Sequence, residues 1–196
     1  MQLVEQNLIA LDDDINDFLP YSVRNPNYPN DKITYRMLLS HTSSIVDNFQ
    51  EQYDPVYCYD ADCPMTLEAY FNDIFIAGGA LFSEDNFSNN APGTKEDYSN
   101  LASALVGYLV ERITQIPFDE YCKNQVFLPL GMTKTEWRLE NIPVNEMAIP
   151  YDPDIANNTH YTFPDYPNGG LRTNVLDLSN FLRAIILDGT LDGAQL

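Results

Sequence analysis

Tyr98, Ser99 and Asn100 stand directly before a long apolar run, and their side chains are of types that could do chemistry. A phenol can accept and return a proton, and a carboxamide can orient an amide or an ammonium group. A free tyrosine has a pKa of about 10, so about one in a thousand is ionised at neutral pH. Tyr98 could therefore act as a general base only beside a cationic neighbour. Taken alone, the tripeptide favours a capped helix start with an aromatic ring packed beneath it.

Two other short segments contain residue types found in catalytic or binding sites. Ser40 and His41 could suggest a serine nucleophile beside its base, but adjacent residues of a helix point in different directions. This pair is more typical of a helix end with a hydrogen-bonded histidine. Gly169 and Gly170 lack the strand-to-helix context of a phosphate-binding loop, and they predict a tight backbone turn near the rim of a cleft.

Helices account for most of the predicted structure around these residues, because apolar residues recur at helical spacing after suitable caps. The longer helices are predicted after Thr66 and ending at Gly78, from Leu101 to Ile113, from Pro117 toward Val126, and from about Val175 to Leu187. Shorter helical segments are predicted at the start of the chain and after Thr34. Residues 128–173 are predicted to be mostly irregular, with a strand or two, and a hairpin of a sheet could begin near Gly193.

The composition is that of a folded globular protein with a strongly acidic surface. The 196 residues carry 29 acidic and 10 basic side chains, for a formal charge of −19. Such a field repels phosphate backbones, so nucleic acid is not an expected partner. The sequence contains no apolar run long enough for a transmembrane helix, and its first residues do not resemble a signal peptide.

Cys58 and Cys63 lie close enough in the sequence to form a local disulfide, but two unpaired thiols in a loop are an equally good interpretation. Cys122 is left over in either case. Zinc is not predicted, since only His41 and His160 could complete a site and neither has ligand-like spacing from the cysteine pair. No cofactor or metal ion is therefore expected.

Five stretches, spread over nearly the whole chain, resemble the β-lactamase and penicillin-binding-protein family in the family's own order. Pro92-Gly93 with Tyr98-Ser99-Asn100 resembles the family's Pro-Gly and Tyr-x-Asn element, which is found in class C β-lactamases, D,D-peptidases and related esterases. Met1–Gln6 with Leu11-Asp12-Asp13 resembles the latter half of the family's nucleophile-bearing helix, and Leu38–Ile45 resembles its Leu-Leu-x-His-Thr-Ser-Gly-Leu. Phe127–Thr135 is similar to the family's Pro-Leu-Gly-Met-x-x-Thr. The fifth stretch, Asn168–Thr173 with Asp177-Leu178 and Phe181-Leu182, is similar to Gly-Gly-Leu-x-Ser/Thr…Asp-Leu…Phe.

The resemblance implies an α+β fold of the β-lactamase and transpeptidase type, of which residues 1–196 supply mainly the helical part and little of the antiparallel sheet. The family's Ser-x-x-Lys motif would precede Met1, and its Lys/His-Thr-Gly strand would follow Leu196. Neither motif occurs within the chain, so we expect a partial domain. Ser44 also departs from the family, because it replaces a glycine and so puts the tightness of that turn in doubt.

The resemblance further implies a serine acyl-hydrolase acting on a β-lactam, a D-alanyl peptide, or a small ester or amide. Tyr98 would be the catalytic proton carrier and Asn100 would bind substrate, while the isolated chain would be inactive. The alternative is a non-catalytic binding module that uses the aromatic loops around Tyr53, Tyr57 and Tyr59. The resemblance implies a periplasmic or extracellular protein. The sequence also matches the N-glycosylation acceptor pattern at Asn86 and at Asn157, and we expect both to be chance matches.

Overall fold

The computed structural model describes residues 1–48, 56–151 and 159–195, and these form a helical body with two very short sheets. The helices are α1 (Gln2–Glu5), α2 (Tyr35–Leu39), α3 (Leu67–Phe75), α4 (Asn100–Thr114), α5 (Phe118–Cys122) and α6 (Val175–Ile186). The strands are β1 (Cys58–Tyr59), β2 (Tyr161–Thr162), β3 (Thr190–Leu191) and β4 (Ala194–Gln195). The predicted α+β class, mainly helical and with little sheet, is confirmed.

Side-chain caps fix the starts of the main helices, as the sequence predicts. The Thr66 hydroxyl accepts from the Ala69 N–H at 3.2 Å to begin α3, and the Ser99 hydroxyl accepts from the Ala102 N–H at 3.0 Å to begin α4. Each bond satisfies one of the N–H groups that a helix start leaves unpaired. At the other end of α4, Gln115 adopts a left-handed conformation with φ +59° and terminates the helix.

Helix α4 runs through the main hydrophobic core and packs against α2, α3 and the turn Tyr166–Asn168. Its Leu101, Leu105 and Leu109 are fully buried. An aromatic contact joins it to α3, since the rings of Phe71 and Tyr108 lie 5.4 Å apart and nearly parallel. A second, smaller core forms where α5 and its continuation, the π-helical turn Lys123–Phe127, meet Ala184 of α6.

Gly107 allows the Tyr166–Asn168 turn to approach α4 closely. A Cβ at this position would lie 2.7 Å from Cγ and 2.8 Å from Cβ of Pro167, distances at which one of the groups must move. Proline has a rigid ring, so the turn itself would have to shift.

Helical spacing predicts one apolar stripe on α6, and most of this stripe faces outward in the described structure. It consists of Leu178, Phe181, Leu182, Ile185 and Ile186. Only Asp177 and Ala184 of this helix are buried. Leu178, Leu182, Ile185 and Ile186 are each half exposed or more. Phe181 is partly buried and packs against the second core. No helix among residues 1–48, 56–151 and 159–195 is long and apolar enough to span a bilayer.

Both two-stranded sheets are antiparallel, and a disulfide braces the first. Cys58 pairs with Thr162 in the β1–β2 ladder, and Cys58 is bonded to Cys63. The Cys63 N–H donates to the Thr162 hydroxyl at 3.1 Å, so the bridge ties both cysteines to the same residue of β2. The structure thus decides between the two interpretations left open by the sequence. Cys122 is free and buried, and burial raises the pKa of its thiol to about 12.

The cysteine arrangement predicts a specific pattern of thiol reactivity. Near neutral pH the native protein should show almost no reaction with a thiol reagent, because two sulfurs are bonded and the Cys122 thiol is buried and protonated. Unfolding without reductant should expose one thiol, and unfolding with reductant should expose all three cysteines. Titration with an aromatic disulfide reagent measures each count. Three thiols in the unreduced, unfolded protein would contradict the bridge.

Replacing Gly107 by alanine should destabilise the protein, although alanine is the better helix former by about 1 kcal/mol. We expect the steric conflict with Pro167 to outweigh that gain and to lower the free energy of unfolding by about 1–2 kcal/mol. Urea denaturation measures the change. Ser103→Ala in the same helix is the control and should stay within about 0.5 kcal/mol of the parent. A more stable Gly107→Ala protein would show that the close approach is not real.

Candidate functional site

The Tyr98-Ser99-Asn100 segment forms the N-terminus of α4, where the sequence places the candidate site. Ser99 is the cap and is fully buried, whereas the Tyr98 side chain is 65% exposed. The Tyr98 hydroxyl donates to Asn100 Oδ1 at 3.0 Å, so the phenol and the carboxamide lie side by side at the N-terminus of α4. The phenol is accessible to a ligand and is not packed beneath the helix.

His41 contacts this segment through its imidazole ring and is not part of a serine–histidine pair. Its Nδ1 accepts from the Ser99 N–H at 3.3 Å, and its ring centroid lies 4.6 Å from that of Tyr98. The Ser40 hydroxyl instead donates to the Arg36 carbonyl at 2.8 Å. The prediction of a helix end with a hydrogen-bonded histidine is confirmed, and the bond shows that His41 holds the Tyr98 segment in place.

Asp47 is the residue that sequence reasoning missed. Its Oδ1 accepts from the Ser99 hydroxyl and the Leu101 N–H, both at 3.0 Å. Its Oδ2 accepts from the Asn100 N–H at 3.0 Å and from Asn100 Nδ2 at 2.8 Å. A carboxylate at a helix N-terminus also interacts favourably with the helix dipole. The one available signal was an aspartate shortly after the His-Thr-Ser stretch, which by itself does not indicate a partner 52 residues away.

The loops that carry His41 and Asp47 are joined to the loop preceding Tyr98. The Gly93 N–H donates to the Thr42 carbonyl at 2.7 Å, and the Asp97 N–H donates to the His41 carbonyl at 2.7 Å. The Pro92-Gly93 turn, in which Gly93 has φ +82°, thus lies against the His-Thr-Ser loop.

Ser44 forms a tight left-handed turn at the position where the resemblance leads us to expect glycine. It is buried and adopts a left-handed conformation with φ +65°, which costs a residue with a Cβ more than it costs glycine. Its hydroxyl accepts from Asn25 Nδ2 at 3.0 Å, and the same amide group donates to the Ser88 carbonyl at 2.8 Å. Asn25, which is fully buried, therefore stabilises the loop behind Asp47.

Gly169 and Gly170 line a different feature, a cleft of about 770 Å³ whose walls include Glu136, Arg172 and Thr173. The Gly170 N–H donates to the Tyr166 carbonyl at 2.8 Å, which confirms the predicted tight turn at a cleft. Neither Tyr98 nor Asn100 lines this cleft. The predicted Tyr98 and Asn100 site and the predicted Gly169-Gly170 turn therefore do not share this cleft.

Among the described residues, no hydrogen bond or ion pair joins the Tyr98 hydroxyl to a Lys or Arg side chain. All ten Lys and Arg side chains contact other groups: eight form ion pairs, Lys32 donates to the Asp12 carbonyl, and Arg172 donates to the carbonyls of Gly170 and Tyr161. Lys95, three residues from Tyr98, faces Asp97 at 3.7 Å. Within the described residues, none of these contacts involves the Tyr98 hydroxyl, whose bond goes to Asn100 Oδ1.

Neither a metal site nor glycosylation at Asn86 receives support from the described residues. In the ranges 1–48, 56–151 and 159–195, no group of three or more His, Cys, Asp or Glu side chains could hold a metal ion. Asn86 is fully buried, so its amide is not available to a glycan in the folded protein. The second pattern begins at Asn157, which lies outside the described residues, as does Tyr53.

Comparison with known proteins gives one consistent result over the whole chain. A family model described as beta-lactamase matches residues 1–196. Protein flp of Staphylococcus aureus strain N315 is 24% identical over 189 residues, covering 93% of this chain and 35% of the Staphylococcus protein. The chain therefore spans about a third of the length of this curated relative.

Solved structures show the same fold. The octameric penicillin-binding protein homologue from Pyrococcus abyssi superposes with a TM-score of 0.66 at 24% identity, covering 97% of this chain and 42% of that one. The D-amino acid amidase from Ochrobactrum anthropi SV3, complexed with L-phenylalanine amide, superposes with a TM-score of 0.69 at 22% identity. That alignment covers 95% of this chain and 50% of the amidase.

The left-handed turn at Ser44 predicts an unusual order of stability for two substitutions. Both Ser44→Gly and Ser44→Ala lose the bond from Asn25, but only alanine keeps a Cβ at positive φ. Ser44→Gly should therefore be more stable than Ser44→Ala by about 1 kcal/mol in urea denaturation. The same two substitutions at Ser103 in α4 should give the opposite order. An alanine variant at least as stable as the glycine variant at position 44 would contradict the turn.

Proposed function

Since this chain belongs to the beta-lactamase family, we propose that it is part of a serine acyl-hydrolase in which Tyr98 carries the proton and Asn100 orients the substrate. The substrate would be a β-lactam, a D-alanyl peptide, or a small ester or amide. The observation that carries the proposal is the exposed phenol beside the Asn100 carboxamide, held at a helix mouth by His41 and Asp47. A reactive group must be both accessible and fixed in position, and this phenol meets both conditions.

In the proposed reaction, the Tyr98 phenol is ionised beside the lysine of the nucleophile segment. Its oxygen then takes the proton of the serine hydroxyl as the serine oxygen attacks the acyl carbon. The proton then passes to the leaving group, while the Asn100 carboxamide bonds the substrate amide or a catalytic lysine. The proposal assigns the serine and the lysine to a Ser-x-x-Lys segment upstream of Met1. The Lys/His-Thr-Gly motif would lie on a strand downstream of Leu196. Residues 1–196 are then a partial domain and inactive by themselves.

The proposed partners are small-molecule or peptide substrates, and the proposed location is the periplasm or the cell exterior. The disulfide between Cys58 and Cys63 supports that location, because such bonds persist mainly in oxidising compartments. The formal charge of −19 disfavours nucleic acid as a partner.

A second candidate function is a binding module without a nucleophile, and one observation favours it. Tyr57, Tyr59, Tyr161 and Phe163 form a connected ring cluster beside the disulfide, with the Tyr57 and Tyr161 rings 5.6 Å apart. Tyr59 and Tyr161 are both exposed. Exposed aromatic rings of this kind can provide contact area for a partner.

Turnover assays separate the two candidates. The chain extended by its own upstream and downstream coding sequence should hydrolyse a chromogenic β-lactam, a nitrophenyl ester or a D-alanyl peptide, and residues 1–196 alone should not. Tyr98→Phe should reduce turnover by about 10²- to 10⁴-fold, because the proton carrier is lost. Tyr28→Phe is the matched control, since that hydroxyl bonds only the Asn89 carbonyl and should leave the rate unchanged.

The acyl-hydrolase proposal is contradicted if the extended, folded protein neither turns over nor becomes acylated by any of the three substrate classes. Full activity in the Tyr98→Phe variant would remove Tyr98 from the mechanism. If the extended protein neither turns over nor becomes acylated, ligand binding that is lost when Tyr59 and Tyr161 are replaced would support the binding module.

A further inference from the structure

The Asp47 carboxylate is an acceptor with no proton of its own to donate, and four donors converge on it. Two belong to the backbone of α4, one is the Ser99 hydroxyl, and the fourth is the Asn100 side-chain amide. An ionised carboxylate offers about four lone-pair positions, so these donors match its capacity. The shortest of the four bonds, at 2.8 Å, is the one from Asn100 Nδ2.

We propose that Asp47 is a positioning residue that determines which end of the Asn100 carboxamide faces Tyr98; this inference rests on the proposed function. The oxygen and nitrogen of a carboxamide have nearly the same shape, so neighbouring hydrogen bonds decide its orientation. Because the carboxylate only accepts, Nδ2 must point toward Asp47. Oδ1 is thereby turned to the Tyr98 hydroxyl.

The orientation determines what the site offers to a ligand. With Oδ1 outward, a carbonyl oxygen lies beside the phenol, and its second lone pair remains available to an N–H or ammonium donor. With the amide reversed, two N–H groups would lie there and would repel the same donor. Asp47 thus acts on the reaction through Asn100, without being placed against the substrate.

The surroundings of Asp47 hold the carboxylate in place. The Val46 N–H donates to the Asn86 carbonyl at 3.0 Å, and Ile45 forms a bridge with Phe87. The Ser88 N–H donates to the Ser44 carbonyl at 2.9 Å. Asp47 is therefore presented by a segment that is paired to a neighbouring loop, so the direction of its carboxylate is set before any ligand binds.

The orientation can be measured directly in the unaltered 196-residue chain by NMR. We expect a scalar coupling across the hydrogen bond between Asn100 Nδ2 and the carboxyl carbon of Asp47. Absence of this coupling, together with contacts between the Asn100 amide protons and the Tyr98 hydroxyl, would overturn the proposal. This measurement requires neither enzymatic activity nor an amino-acid substitution.

Asp47→Asn tests the role of the carboxylate, because it keeps the shape but replaces one acceptor oxygen with a donor. Exchange of the Asn100 side-chain Nδ2 proton with water should become at least about tenfold faster, since its charge-assisted hydrogen bond to Asp47 is lost. Asp97→Asn is the matched control, because that neighbouring carboxylate pairs only with Lys95 at the surface. In Asp97→Asn, the Asn100 side-chain protons should exchange at the rate of the parent. An unchanged rate in Asp47→Asn would contradict the proposal.

A double-mutant cycle in the extended, active protein separates positioning from general stability. Asp47→Asn should lower kcat about tenfold or more in the parent, and much less in an Asn100→Ala background, because the effect passes through Asn100. Equal losses in both backgrounds would contradict the proposal. If no extended form turns over any substrate, the proposed function fails, while the coupling across the hydrogen bond still decides the orientation of Asn100.

Discussion

The carboxylate of Asp47 at the N-terminus of α4 is the interaction on which the candidate site depends. A helix start leaves backbone N–H groups without partners, and here the Ser99 hydroxyl and the Asp47 carboxylate satisfy three of them. The same carboxylate holds the side chains of Ser99 and Asn100. One group thus fixes both the helix end and the polar side chain beside Tyr98, so the phenol can be exposed and still be well positioned.

The rest of the described structure supports that helix end. Helix α4 passes through the main core, where its leucines are fully buried. Gly107 on the same helix lets the Tyr166–Asn168 turn come close, and that turn leads directly to the Gly169-Gly170 cleft. The disulfide ties Cys58 and Cys63 to Thr162 of β2, next to Tyr161 and Phe163 in the wall of the same cleft. The helix that presents Tyr98 therefore also braces the separate cleft through its packing.

Local signals in the sequence predicted the helices and the Ser99 cap well, but the tripeptide alone favoured a packed ring at Tyr98, which is exposed. Capping side chains act over two or three residues, so Thr66 and Ser99 could be identified from their immediate neighbours. Asp47, Asn25 and the role of His41 could not be predicted in this way, because their bonds reach residues 52 to 63 positions away. The sequence also could not show that the α6 stripe faces outward, since periodicity reveals a face but not what covers it.

The central claim is that the Tyr98 phenol moves the proton of a serine nucleophile. The most direct test is a crystal structure of the extended protein after reaction with a boronic acid that mimics the tetrahedral transition state. The account predicts a covalent serine adduct whose Oγ lies about 2.6–3.2 Å from the Tyr98 hydroxyl oxygen, the range of a proton-transferring hydrogen bond. An adduct in which Tyr98 lies beyond hydrogen-bond reach of that oxygen, with another side chain in its place, would contradict it.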